Sequence, residues 1–152
     1  MFHVSTSHNR LGVLGLSIPI RTLLAVTTLL AAVATGGSLY FSLGLGLVPC
    51  ELCWYQRILM YPLVVVLGVA SIDERATVYR TALPLSLIGF GIAGYHTILQ
   101  ISPSVGGTCS IGGGCASIQY TLLGGLLTIP RLSLIAFTLI SLGLLALVVG
   151  EH

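Results

Sequence analysis

Long apolar stretches alternate along this chain with short segments that hold nearly all of its charged residues. The stretch from Thr22 to about Leu43 carries no charge; at about 1.5 Å per residue it is long enough to cross a hydrocarbon core of about 30 Å as a helix. Between Arg57 and Asp73 only Ile58 to Ile72 is free of charge, about 22 Å of helix, so a second span must recruit Cys53 to Arg57 to reach the far interface. That requirement draws Arg57 to membrane depth. A third span runs from about Thr81 to Ile101, with Pro103 just beyond it as a stop signal. A fourth begins near Pro130, whose missing N–H suits a first helical turn, and ends near Val149. The pattern predicts an all-α membrane protein: one four-helix transmembrane domain over residues 1–152, with spans near 22–43, 53–72, 81–101 and 130–149.

Composition agrees. Hydrophobic residues make up 55% of the 152 positions and charged residues 7%, against about 25% charged in soluble domains, which excludes an ordinary soluble globule. Six scattered arginines, no lysine and a net charge of +2 provide no basic stripe for a phosphate backbone, so nucleic acid is excluded as a partner. Arg10, Arg21, Arg75 and Arg80 fall at one face of the four spans, and only Arg57 and Arg131 at the other. Positive charge gathers on the cytoplasmic side. The expectation is a multi-pass cell-membrane protein with both termini cytoplasmic and the 44–52 and 102–129 loops exported. Ala32-Val33-Ala34 is also compatible with a signal-peptidase site. Gly36, Gly37, Gly89, Gly91 and Gly94 are candidates for close helix approach.

Both exported loops carry cysteines: Cys50-x-x-Cys53, and Cys109 with Cys115 after five intervening residues. Outside the cytoplasm an even set of exposed cysteines normally means disulfides, and of the three pairings the neighbour one, Cys50–Cys53 with Cys109–Cys115, is the natural resting state. Inert staples, a four-cysteine zinc site, links to other chains and redox-active pairs all remain open. Staples contribute little here, because closing loops of a few residues removes little entropy. The x5 spacing fits zinc less well than paired knuckles. Redox activity has a physical argument at Cys53. The start of the second helix and Arg57, at i+4 on the same face, both favour its thiolate form, and Glu51 opposes it weakly.

Arg57 lies 16 positions before Asp73, and His96 lies 16 positions after Arg80. In an antiparallel hairpin both stand about 24 Å above the cytoplasmic turn, just beneath the first cysteine loop. A cation and an imidazole at that level suit a lipid-soluble quinone, whose oxygens become negative on reduction and take up protons. The blander roles are a snorkelling arginine and a hydrogen-bonded histidine between helices. Trp54, Tyr55, Tyr40 and Phe41 read as interfacial belt residues.

The run Pro49-Cys50-Glu51-Leu52-Cys53-Trp54-Tyr55-Gln56-Arg57, continued by Ile58 to Pro62, resembles the start of the second span in the DsbB family of disulfide bond formation proteins, most closely its short-loop BdbC branch. Tyr95-His96-Thr97-Ile98-Leu99-Gln100 resembles the end of that family's third span, and Cys109-x5-Cys115 its second cysteine pair. The resemblance implies a bundle that reoxidises an exported thioredoxin-fold, DsbA-like dithiol oxidase and passes electrons to ubiquinone or menaquinone. It implies that a partner thiolate attacks Cys109, that the freed Cys115 attacks Cys50, and that Cys53 is released facing the quinone, with Arg57 and His96 in the quinone-binding region. Two features depart from the better-known members. The second loop is short, leaving only Ala116 to Leu127 as a counterpart to their membrane-surface segment, and Gln56 stands where they carry an acid and is given no role. The competing readings are a vitamin K epoxide reductase-like enzyme, whose C-x-x-C opens a late helix, and a non-enzymatic bundle with structural disulfides or a four-cysteine metal site.

Overall fold

The computed structural model describes residues 10–13, 16–102, 115, 118, 120–125 and 127–151. Four helices dominate: α1 (Ile20–Leu39), α2 (Glu51–Asp73), α3 (Tyr79–Ile101) and α4 (Ile129–Glu151). Each lies in a segment long and apolar enough to cross a membrane. They form a bundle in which α1 packs on α2 and α4, and α3 on α2 and α4. The elements also include two small antiparallel ribbons. One pairs β1 (Arg10–Val13) with β2 (Leu16–Pro19), and the other pairs β3 (Thr121–Leu122) with β4 (Leu127–Thr128). The second ribbon occupies much of the stretch expected as a membrane-surface segment. Gly124 and Gly125 turn it with φ of +69° and +100°, a region glycine enters at little steric cost.

Local chemistry sets the helix ends. Cys50, extended at φ −70° and ψ 170°, is the N-cap of α2, so the helix starts at Glu51, two residues before the expected span. Glu74 closes it in the left-handed conformation at φ +51°. Pro62 and Pro84 sit inside α2 and α3; packed membrane helices tolerate such breaks because neighbouring groups satisfy the freed carbonyls. After Leu39, α1 widens into a π-helical segment, Tyr40–Gly44, before the chain leaves the helix. Such bulges cluster at functional sites.

The core runs down the bundle axis through Leu24, Ala31, Leu63, Leu67, Ala93, Phe137, Ile140 and Leu144. Leu29, Val33, Ile58, Val65 and Ile72 point outward and are more than half exposed. That inversion suits a lipid solvent as apolar as the core itself. Two close approaches join the helices. A Cβ at Gly89 would overlap the Phe137 ring, and one at Gly143 would overlap Thr27. Of the five glycines expected to permit such contact, Gly89 does so; a Cβ at Gly36, Gly37 or Gly91 meets nothing, and one at Gly94 would make only ordinary contact. Beside Gly89, Ser86 Oγ lies 2.7 Å from Ser141 Oγ and donates to the Phe137 carbonyl at 3.2 Å, a buried polar link between α3 and α4.

Candidate functional site

The end of α1, the start of α2, the end of α3 and the start of α4 meet at one end of the bundle, and Cys50, Cys53 and Cys115 gather there. The Sγ atoms of Cys50 and Cys53 lie 2.9 Å apart, because the N-cap and third residue of a helix share one face. His96, from α3, comes within 3.7 Å of Cys50 Sγ through Nε2. The same nitrogen lies 3.2 Å from the carbonyl oxygen of Cys115. On the other side of the ring, Nδ1 lies 3.2 Å from Gln56 Nε2. His96 and Gln56 are both buried, so their bond fixes the level at which α2 and α3 face each other, one residue from the Arg57–His96 level obtained by counting from the hairpin. Cys109 lies outside the described residues.

The Cys50 thiol, just ahead of α2, is pushed up to about 12. The main cause is the hydrogen bond it shares with Cys53, which holds its proton; burial adds to this, and the bond to His96 opposes it. In the reduced pair the Cys50 thiol therefore keeps its hydrogen at neutral pH.

Arg57 takes a different direction. Its Nε donates to Ser38 Oγ at 2.8 Å, and Nη2 donates to the Ser38 carbonyl at 2.8 Å and to Ser42 Oγ. Its guanidinium also lies 5.6 Å from the centre of the Trp54 ring. Ser38 comes from the last turn of α1 and Ser42 from the π-helical segment, so the widened turn helps present two hydroxyls to one cation. An arginine fixed in this way is not free to snorkel.

Cys53 and Arg57 lie one turn apart on the wall of a cavity of about 360 Å³ enclosed by α1, α2, α4 and the 45–50 connection. Its lining is mostly apolar, including Leu30, Phe41, Met60, Ile129, Ala136 and Leu139, with Gln56, Ser38 and Ser42 among the few polar positions. Small-molecule sites have this size and this mixture of apolar wall and few placed polar groups. Phe41, expected as a belt residue, lines the cavity and packs its ring at a tilt against Tyr120, centre to centre 5.4 Å. Trp54 and Tyr55 are about half exposed, as belt residues are. His96 is not part of the cavity lining; Gln56 stands between it and the cavity.

Gln56, Ser38 and Ser42 are the residues that reasoning from sequence passes over. A signal exists for Gln56: a polar side chain at i+3 from Cys53, inside an apolar span and level with His96, needs a buried partner. Ser38 and Ser42, four apart and hence on one face, carry a weaker one.

Comparisons with known proteins identify the family. The family model described as "Disulfide bond formation protein DsbB" matches residues 20–148. "Disulfide bond formation protein C" of Bacillus subtilis (strain 168) is 47% identical over 112 residues, covering 72% of this chain and 80% of that protein. A "Probable disulfide formation protein" of Oceanobacillus iheyensis is 42% identical over 113 residues, 72% of this chain and 77% of its own length. One of the same description from Chlamydia trachomatis serovar D is 41% identical over 113 residues, covering 74% and 82%. No solved structure gives a significant match. With four membrane-length helices and a dithiol at the end of the bundle, the chain belongs to the DsbB family of membrane disulfide bond formation proteins.

Proposed function

We propose that the protein reoxidises a thioredoxin-fold dithiol oxidase on the exported face of the membrane and passes the electrons to a lipid quinone. The observation that carries this reading is the position of Cys53: its sulfur touches Cys50, and it lines the same apolar cavity as Arg57. A quinone headgroup fits this donor set, since it needs an apolar slot, a cation for its oxygens and a reducing sulfur alongside. When bound, the quinone supplies a two-electron acceptor. Cys53 offers its sulfur on the cavity wall, Arg57 holds a fixed positive charge one turn away, and Ser38 and Ser42 orient that charge. The mostly apolar lining favours a lipid-soluble headgroup there over water.

On the partner side, Cys109 and Cys115 form the entry pair. A partner thiolate attacks Cys109, the bond to Cys115 breaks, and the Cys115 thiolate attacks Cys50. The Cys50–Cys53 bond breaks in turn and its electron pair leaves on Cys53, at the cavity. Cys50, Cys53 and Cys115 gather at one end of the bundle, and Cys109 precedes Cys115 by six positions in the sequence, which suits this sequence of exchanges; the arginine bias favours an exported position for that end.

A soft-metal site has one observation in its favour: Cys50 Sγ, Cys53 Sγ and a His96 nitrogen lie within 4.8 Å of one another. Sulfurs sharing a tetrahedral zinc at about 2.3 Å stand about 3.8 Å apart, and this pair is at 2.9 Å. The spacing favours exchange chemistry over chelation.

The test is turnover of the purified protein with a reduced exported dithiol protein. Oxidation is expected only when quinone is supplied; oxidation at an equal rate without it, in protein stripped of lipid, refutes the reading.

A further inference from the structure

His96 makes three contacts that together define its state. A carbonyl oxygen can only accept, so the 3.2 Å contact with Cys115 O requires a hydrogen on Nε2. In the neutral ring Nδ1 then carries a lone pair, and the group facing it at 3.2 Å is the Gln56 amide, which donates through Nε2. The hydrogen on Nε2 also points towards Cys50 Sγ at 3.7 Å. One N–H therefore bridges the backbone of Cys115 and the sulfur of Cys50, and Gln56 holds the tautomer that puts it there.

We propose that His96, set by Gln56, is a positioning residue for exchange between the two cysteine pairs: it docks Cys115 against Cys50. This rests on the relay reading above and gives His96 a task apart from the quinone cavity, which it does not line. The step it serves is one exchange. The Cys115 thiolate attacks Cys50 Sγ, a Cys50–Cys115 bond forms, the Cys50–Cys53 bond breaks, and the electron pair goes to Cys53 Sγ with no net oxidation. The geometry matters because Cys115 belongs to a long connection between α3 and α4, and thiol exchange requires its sulfur at Cys50. The tether acts on the backbone of Cys115 itself, and Cys115 is buried. A glutamine at position 56 offers a donor to Nδ1 and so keeps Nε2–H on the cysteine side; a carboxylate could only accept, and would call for a hydrogen on Nδ1 as well.

The experiment uses the full chain with Cys53→Ser and Cys109→Ser, which leaves Cys50 and Cys115 as the only possible pair. Equilibration in glutathione buffers gives the effective concentration of Cys115 at Cys50, without quinone or partner. Adding His96→Ala is expected to lower it about tenfold, the worth of a buried hydrogen bond. His96→Gln, which keeps an N–H near the same place, restores most of it, and Gln56→Leu costs about threefold by releasing the tautomer. In four-cysteine protein, His96→Ala lowers the turnover number and leaves the KM for quinone within about twofold. Nitrogen-15 shifts of labelled His96 show a protonated Nε2 and an unprotonated Nδ1, with Nδ1 becoming protonated as well in Gln56→Glu. An unchanged effective concentration in His96→Ala, or a quinone KM that rises while exchange stays intact, overturns the proposal. Failure of the relay reading is separate: wild-type protein would then turn over without quinone, whatever the glutathione equilibrium shows.

Discussion

The two sides of the first turns of α2 are built from different materials. Towards α1 and α4 lies the apolar cavity, where Cys53 and Arg57 share a wall and the cation is held by two serines. Towards α3 lies a polar cluster, in which Cys50, His96, Gln56 and the Cys115 carbonyl satisfy one another over contacts of 3.2 to 3.7 Å. The difference shows how a C-x-x-C pair can work in two media at once. Its sulfurs touch, yet one belongs to a chamber suited to a lipid-soluble molecule and the other to a hydrogen-bonded cluster that reaches the second loop.

The most severe way to break the comparison is to remove either sulfur. Cys50→Ser and Cys53→Ser should both reduce quinone-linked oxidation of a dithiol partner to background, because the relay needs a disulfide that neither variant can form. Trapping distinguishes them: Cys53→Ser still forms the Cys50–Cys115 link, and Cys50→Ser does not. Identical trapping patterns would show that the two cysteines are not divided between the two sides.

Arg57→Ala attacks the cavity side alone. It removes charge-assisted hydrogen bonding, worth about 1.5–3 kcal/mol per bond, so the KM for quinone should rise about 10- to 100-fold. The effective concentration of Cys115 at Cys50 should stay as it was. A comparable fall in that concentration would merge the two sides into one site. Lysine at 57 should recover little, since a point charge cannot donate to Ser38 and Ser42 and still reach into the cavity as the guanidinium fork does.

The polar side has a chemical signature in Cys50. Raised from 9.0 to about 12, this thiol stays protonated below that pH and becomes thiolate only above it. Three units lower its thiolate fraction about 1000-fold, and the greater nucleophilicity of a more basic thiolate returns about 30-fold, leaving alkylation of Cys50 about 30-fold slower at pH 7 than in the unfolded chain. Its rate in the reduced protein should climb about tenfold per pH unit past pH 9 and on to about pH 11 without a plateau, read by mass spectrometry. A plateau setting in near pH 9, the ordinary thiol value, would mean that Cys53 does not hold the Cys50 proton.

How much of this a sequence can reveal follows from what spacing encodes. Distance along a helix is readable, so the charge gaps locate four helices, and counting from the hairpin, which levels Arg57 with His96, comes within one residue of the Gln56–His96 pair. The direction in which a residue faces, relative to helices far away in sequence, is not readable from one chain. His96 and Arg57 share a depth, which points to one quinone-binding region for both, whereas they lie on different sides of α2. Ser38 and Ser42 look like ordinary small polar residues because their importance depends on Arg57 meeting α1. The π-helical turn that presents Ser42 carries no signature in hydrophobic periodicity. Cys109 and the glycine-rich run from 106 to 114 lie outside the described residues, so the entry pair rests on spacing and resemblance.

The smallest effect tests whether Arg57 works through its orientation or merely through its charge. Ser38→Ala and Ser42→Ala together remove both hydroxyl acceptors but leave the Ser38 carbonyl, which still receives Nη2 at 2.8 Å. The guanidinium keeps its charge and one anchor, so the cavity retains its positive potential while the cation gains freedom about that anchor. Quinone KM should rise about three- to tenfold, less than for Arg57→Ala, with the pH dependence of Cys50 alkylation unchanged. The double variant combined with Arg57→Ala should be no worse than Arg57→Ala alone, because serines that act only through Arg57 have nothing left to orient. Additive losses in that cycle would show that Ser38 and Ser42 meet the quinone directly, and the cavity side would then have three polar contacts in place of one.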